Sequence, residues 1–270
     1  MKHTIYLLAI LFLVACQNGK KENTGSETLA ERLQHSRWVD LTYSFDEKSV
    51  YWPTNVPFHH DTVSYGMTAK GYFYSSFKFS AEEHGGTHFD APIHFGADRN
   101  TIEKVPLKQL NGPGVVINVS EKAANNRDYL VSIEDIQAWE KKHGAIPEGA
   151  MILLYTGYGK FYNEPEKYLG TCLTGPGAVA QLHFPGLSPE AAQWLVDNRK
   201  INGIGLDTPS IDYGQSSDFM THRILCNHGL TMYENVANLD QLPETGAYIV
   251  ALPMKIKGGS GSPLRIVAII

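Results

Sequence analysis

Residues 82–95 read EEHGGTHFDAPIHF and bring His84, His88, Asp90 and His94 into one short run beside Gly85, Gly86 and Pro92. Imidazole and carboxylate are ligands for borderline divalent ions, and a neutral imidazole is also a general base. On a helix His84 and His88 would share a face, as in H-E-x-x-H zinc sites. The two glycines and the proline oppose a helix. On an extended path side chains alternate, so four residues at even positions project to one side. The glycines allow a tight turn between His84 and His88, and Pro92 ends the strand and returns His94 over the others. Three ligands plus a nearby imidazole leave a coordination position for water and a base beside it. From the pattern alone, a solvated turn with hydrogen-bonded histidines is the competing reading. Four such residues on one face, with glycines at the bend, favour the metal.

The surrounding elements alternate between strand and helix patterns. "WVDLTYSF" from Trp38, "YFYSSFKFS" (72–80), "GVVINV" (114–119), "AMILLYTG", "GIGLD", "GLTMYEN", "AYIVALP" and "RIVAII" read as strands. "SIEDIQAWEKKHG" reads as a helix capped by Ser132 and ended by Gly144, with Ile133, Ile136 and Trp139 at helical spacing. "SPEAAQWLVDNRKING" reads as a second, with Ser188 as N-cap and Pro189 in the first turn. Strands outnumber helices and the two are interleaved, which predicts an α/β domain with a mixed sheet. No G-x-G-x-x-G joins a strand to a helix, so a dinucleotide fold is not indicated.

The chain has 270 residues, 43% of them hydrophobic, and a formal net charge of -5. That suffices for a sizeable core. The mild acidity and the lack of a basic stripe give no reason to expect nucleic acid. The N-terminus opens with Lys2 and an apolar run over 5–14, too short to span a bilayer comfortably. "LVAC" then resembles a bacterial lipobox, with cleavage before Cys16 and lipid on its thiol; an ordinary secretory signal with an incidental cysteine is the alternative. The expected division is a signal peptide over 1–15, a lipidated Cys16 and flexible tether over 16–36, and a single catalytic domain over 37–270. The expected location is that of an exported bacterial lipoprotein held at a membrane. Export implies an oxidising compartment. Cys172 and Cys226 make no disulfide framework and are read as buried free thiols unless the fold brings them together.

The motif "HGGTHFDAPIHF" resembles the H-x-G-T-H-x-D-A-P-x-H signature of the cyclase family, which includes bacterial kynurenine formamidases and isatin hydrolases. "VYWPTNVPF", "THRILCNHGLTMYENVANLDQLP" and "ALPMKIKGGSGSPLRIVAII" resemble further segments of that family, so the likeness extends over most of 38–270. It implies a swivelling β/β/α fold with a mixed sheet, usually at least dimeric, with the formamidases' subunit contact near the active site. It implies His84, His88, Asp90, His222 and Glu234 as metal ligands, with Asp90 bridging if two ions bind. It implies His94 as catalytic acid/base and Trp52 as a substrate contact. The cofactor would be one or two divalent ions, zinc or manganese. The implied reaction is hydrolysis of an amide in an aryl formamide or an isatin-like lactam. Longer stretches before the motif and around 157–188 depart from compact formamidases toward isatin hydrolases, which leaves the substrate open. The alternatives are a hydrolase or dehydratase of another cyclic carbonyl compound, and a non-catalytic metal- or ligand-binding surface lipoprotein.

Other candidates carry less weight. Asp207 and Asp212 in "GLDTPSIDYG" read best as turn caps. His59 and His60 either line a pocket mouth or face solvent. His183 either contacts substrate or packs. Cys226 reads as a small buried residue rather than a soft ligand. Tyr72, Phe73, Tyr74 and Phe77 read as a mixture of core and pocket wall.

Overall fold

The structure is a computed structural model that describes residues 27–270. The expected signal peptide, Cys16 and the tether as far as residue 26 lie outside the described residues. Part of the expected tether is instead helix α1 (Leu29–His35), none of whose residues is buried. Thr28 and Glu31 explain it: the Glu31 carboxylate accepts from the Thr28 amide at 2.8 Å, and Thr28 Oγ1 accepts from the Glu31 amide at 3.3 Å. This is a capping box.

The compact unit runs from Ser36 to Ile270. Its strands in chain order are β1 (Trp38–Asp40), β2 (His59–Met67), β3 (Phe73–Ser80), β4 (His88–Asp90), β5 (Asn111–Asn118), β6 (Leu130–Val131), β7 (Met151–Tyr155), β8 (Gly186–Leu187), β9 (Gly203–Leu206), β10 (Thr231–Glu234), β11 (Tyr248–Pro253) and β12 (Gly261–Ile269). Eight of them form one sheet in the order β1-β12-β11-β5-β7-β9-β10-β4. The run β5-β7-β9-β10 is parallel, and the flanks are antiparallel. Strand β4 also pairs with the start of β12, which closes the sheet into a barrel-like form. This is the mixed-sheet β/β/α architecture expected from the motif.

The parallel strands are buried on both faces, hence their unbroken apolar runs. Val115, Ile117, Ile152, Leu154, Ile204 and Leu206 face a cluster that also holds Ile136, Trp139, Leu195 and Leu225. These come from helices α3 (Ile133–His143), α6 (Pro189–Asn198) and α7 (Met220–Asn227), preceded in the chain by the short α2 (Ser120–Asn125) and, between α3 and α6, by α4 (Pro165–Tyr168) and α5 (Pro176–Val179). Val116, Met151 and Leu153 point the other way, toward Phe89, Tyr233, Ile249 and Ile266. Each fully buried aliphatic side chain contributes about 1.5–3 kcal/mol. Ser132 and Ser188 cap α3 and α6 as the sequence predicts, and Pro189 opens α6. Among the described residues no helix is long and apolar enough to cross a membrane.

Three expectations change. The strand from Trp38 stops at Asp40; beyond it the Thr42 hydroxyl replaces a backbone carbonyl as the acceptor for the Ile266 amide of β12, at 2.9 Å. The alternation over 72–80 does mark a strand, but β2 and β3 form a separate ribbon whose aromatic side chains are exposed rather than core or pocket wall. Cys172 is exposed while Cys226 is buried, and both are free thiols.

Candidate metal centre and pocket

Pairing register, more than local periodicity, assembles the site. Strand β4 lies between β10 and β12, and the antiparallel register sets His88 directly opposite Glu234. Opposed residues in such a pair share a face. Only His88 and Asp90 lie on the strand. The run of even positions does not extend to His84, which sits in the loop before it, or to His94, which ends a 3-10 turn over Pro92–His94. The preceding loop approaches its neighbours too closely for side chains. A Cβ at Gly85 would lie 2.1 Å from the Tyr51 ring, and Gly86, at φ +58°, would place one 2.4 Å from Phe45. His222 arrives from the far end of the chain on α7, a helix the sequence patterns did not mark.

The imidazoles are oriented from behind. His88 Nδ1 donates to the Gly86 carbonyl at 3.0 Å, and His222 Nδ1 donates to Asp212 Oδ2 at 2.6 Å. Both Nε2 atoms therefore face the carboxylates. His88 Nε2 lies 3.3 Å from Asp90 Oδ1 and 3.3 Å from Glu234 Oε2. His222 Nε2 lies 3.4 Å from Asp90 Oδ2 and 3.2 Å from Glu234 Oε1. His84 Nδ1 reaches Asp90 Oδ1 at 2.7 Å, and its Nε2 meets Ser260 Oγ at 2.9 Å. Ser260 Oγ in turn donates to Glu83 at 2.7 Å. Glu83 thus holds His84 through Ser260, a connection that links the motif to the start of β12.

The 3.2–3.4 Å separations exceed the 2.7–2.9 Å of charge-assisted hydrogen bonds. They match the spacing between donors about 2.0–2.2 Å from a shared ion. Asp90 Oδ2 is buried without a hydrogen-bond partner. His84, His88 and Asp90 bring one ligand atom each within 4.8 Å of one another, as do Asp90, His94 and His222. The residues present fit a divalent cation.

Electrostatics follow the geometry. Burial alone would lower His88, but Asp90 and Glu234 reverse this and push it up to about 10. Burial likewise opposes the charge on His222, yet Asp212, Asp90 and Glu234 hold its pKa well above the usual imidazole value. Burial would raise Asp90, and the surrounding histidines instead hold it well below the usual carboxylate range. His94 differs. Burial lowers it to about 4, and Asp90 does not offset that. It stacks on His84 with ring centroids 3.7 Å apart, neutral at physiological pH.

His84, His88, His94, His222 and Glu234 line a cavity of about 320 Å³ whose apolar wall includes Trp52, Phe95 and Phe219. Phe219 adopts φ 51°, an outlier for a bulky residue. Its ring meets Trp52 edge-on at 6.2 Å. Tyr51 lines the same cavity, and its buried hydroxyl lacks a hydrogen-bond partner.

His84, His88, Asp90, His94, His222, Glu234 and Trp52 therefore converge. Asp212, read from the sequence as a turn cap, is also the partner of His222. It caps α7 as well, accepting from the Thr221 and His222 amides at 3.1 Å each. Asp207 is a turn cap: it accepts from the Thr156, Gly157 and Gly159 amides and from Thr156 Oγ1. His59 and His60 are exposed on the ribbon. His183 pairs with Asp128 at 2.8 Å away from the cavity wall. Cys226 is buried in the helix-side core. Ser260 and Phe219 come from distant segments that no local pattern marks, while Glu83 and Phe95 lie inside the motif but carry no ligand or base chemistry that would single them out.

A sheet closed by β4, with buried histidines and carboxylates at the closure, defines the class to which the comparisons also point. The family model described as "Putative cyclase" matches residues 39–213, and the chain belongs to that family. The isatin hydrolase of Roseibium aggregatum is 35% identical over 196 residues, which is 70% of this chain and 72% of that protein. A kynurenine formamidase of Bacillus cereus is 26% identical over 235 residues, 87% of this chain and 98% of that protein. The solved structure of isatin hydrolase A from Ralstonia solanacearum superposes with a TM-score of 0.81 at 33% identity, covering 92% of this chain and 99% of that one.

Proposed function

We propose that this chain is a metal-dependent hydrolase that opens the amide bond of an aryl formamide or an isatin-like lactam. One observation carries the reading: Asp90, His88, His222 and Glu234 converge with separations of 3.2–3.4 Å beside a half-buried, neutral His94. The relatives named isatin hydrolase and kynurenine formamidase support the substrate class. In this reading His84, His88, Asp90, His222 and Glu234 hold the metal. His84 would bind through Nδ1 while its Nε2–H donates to Ser260, the usual support for a ligating imidazole. The two oxygens of Asp90 face different histidines, which favours two ions over one. Nitrogen-rich donors with two carboxylates suit zinc or manganese equally. A bound divalent ion supplies acidified water and polarisation of a carbonyl oxygen.

The remaining work falls to the chain. His94, neutral and beside the cluster, accepts a proton from the attacking water at a ring nitrogen and returns it to the departing nitrogen. A ligand-binding protein has no need of such a base, which disfavours the non-catalytic reading. Trp52 and Phe219 form apolar walls suited to a flat aromatic ring.

The same proposal treats 37–270 as one catalytic domain, attached through lipidated Cys16 to a membrane after export and removal of 1–15. It also includes assembly as a homo-oligomer. The lipobox-like sequence and the family likeness support these parts. Hydrolysis of a formamide and lactam panel, with and without chelator, tests the activity; chelator-insensitive turnover contradicts it. Mass spectrometry of the mature N-terminus tests the anchor; an unmodified first residue contradicts it.

A further inference from the structure

We propose that Asn235 is a positioning residue of the metal centre: its side-chain amide fixes the Gly86 carbonyl on which His88 is oriented. The proposal rests on the metal reading above and gives a role to a residue outside the ligand set. His88 turns Nε2 toward Asp90 and Glu234 because its Nδ1 donates to the Gly86 carbonyl at 3.0 Å. That carbonyl must itself be held. Gly86 sits at φ +58° and has no side chain to anchor its peptide plane. Asn235 Nδ2 donates to the same oxygen at 2.7 Å. A carbonyl oxygen has two lone pairs, and here each takes one donor.

The partners decide which way the amide faces. The Gly86 oxygen only accepts, so the Asn235 nitrogen must point at it. Oδ1 then faces the Tyr168 hydroxyl, which donates to it at 2.8 Å. Tyr168 ends α4 and is fully buried, and its hydroxyl also lies 3.1 Å from the Asp207 carbonyl. The amide is therefore clamped from behind by an element outside the sheet. The backbone of Asn235 is tied as well. Its amide donates to the Thr208 carbonyl at 2.9 Å, and its carbonyl accepts from Thr87 Oγ1 at 2.7 Å. Two bonds thus join Asn235 to Gly86 and Thr87. They stitch the end of β10, where Glu234 stands, to the start of β4, where His88 stands.

The residue type matters. Asn235 adopts φ 52°, a left-handed conformation that asparagine enters more readily than most residues. Glycine would accept this backbone but make neither side-chain bond. Aspartate would fit and still accept from Tyr168, but it would turn an oxygen toward the Gly86 oxygen. Asn235 lies at the cavity wall and is only 1% exposed, so water does not replace a lost bond freely. Without Nδ2, the carbonyl would be held by the ring it is meant to hold. The peptide and the imidazole could then turn together, and Nε2 would lose its fixed aim.

The test is zinc affinity by chelator competition for the full chain and for Asn235→Asp, Asn235→Gly and Tyr168→Phe. Nuclear magnetic resonance follows the His88 Nδ1 proton in the zinc-loaded proteins, a readout that a purely structural role leaves unmoved. Both Asn235 variants should bind zinc about 10- to 100-fold more weakly, and their Nδ1 proton should exchange faster with water. The added charge of aspartate would by itself tighten cation binding, so a loss in that variant reports the missing donor. Tyr168→Phe frees Oδ1 from its clamp and should weaken zinc by a smaller factor; it decides the matter if the Asn235 variants fail to fold. Zinc affinity and Nδ1 exchange equal to those of the unaltered chain in Asn235→Asp, or in Tyr168→Phe where only that variant folds, overturn the proposal, and Asn235 would then serve the fold alone. A full chain that binds neither zinc nor manganese overturns the metal reading itself, and this proposal with it.

Discussion

Asp212→Asn separates a turn cap from a metal-orienting residue. The carboxylate accepts from His222 Nδ1 at 2.6 Å, from the His222 and Thr221 amides at 3.1 Å each, and from Ser216 Oγ at 3.2 Å. An asparagine keeps the shape but offers one acceptor oxygen and one amide group. If the oxygen serves the α7 amides, the amide group meets Nδ1, and the ring proton must move to Nε2. That nitrogen then cannot bind a cation. Losing such an orienting partner lowers metal affinity about 10- to 100-fold, equivalent to about 1.4–2.8 kcal/mol. Losing cap acceptors costs a further ~1 kcal/mol of stability. Chelator competition measures the first effect, and thermal unfolding with and without zinc or manganese measures both. The metal-dependent rise in Tm should shrink in the variant more than the metal-free Tm falls. Wild-type metal affinity with only the loss of metal-free stability would refute the argument, and Asp212 would then be the simple cap its sequence context indicates.

Three further outcomes follow from named contacts. Ser260→Ala removes the link between His84 and Glu83; metal affinity should fall about tenfold, and Ser260→Thr should recover most of it, whereas equal losses in both variants would point to packing alone. His94→Ala should retain metal by elemental analysis while turnover falls about 10²- to 10⁴-fold; loss of metal at an unchanged rate would reassign His94 as a ligand. Asp135 is buried, but bonds from Lys122, the Ser132 amide and Tyr129 hold its pKa below the usual carboxylate range. Its contribution is therefore present above the unfolded value of about 3.9 and lost as pH falls through the lower folded value. Asp135→Asn should cost about 1–2 kcal/mol at pH 7 and progressively less in acid, as read from denaturant midpoints at several pH values; a cost independent of pH would remove the electrostatic explanation.

The local chemistry of the site was legible because His84, His88, Asp90 and His94 are close in sequence and flanked by residues with strong backbone preferences. His222 and Glu234 were legible only through family likeness. What joins them to the motif is the β4–β10 register, a pairing between segments far apart along the chain. The strand-and-helix order and the caps at Ser132 and Ser188 followed from patterning and end signals. The even-numbered projection did not hold for the whole motif, because the strand is only three residues long and a 3-10 turn delivers His94. The ribbon aromatics show the limit of periodicity. Alternation identifies a strand, but it does not say what covers each face.

The central claim is that hydrolysis depends on a cation held by His84, His88, Asp90, His222 and Glu234. The most direct test is to strip the purified protein with chelator, verify its metal content, and follow an aryl formamide and an isatin-type lactam before and after adding back zinc or manganese. The account predicts that stripping abolishes turnover of at least one of the two and that add-back restores it in step with bound metal. Undiminished turnover by protein shown to contain no metal would contradict it.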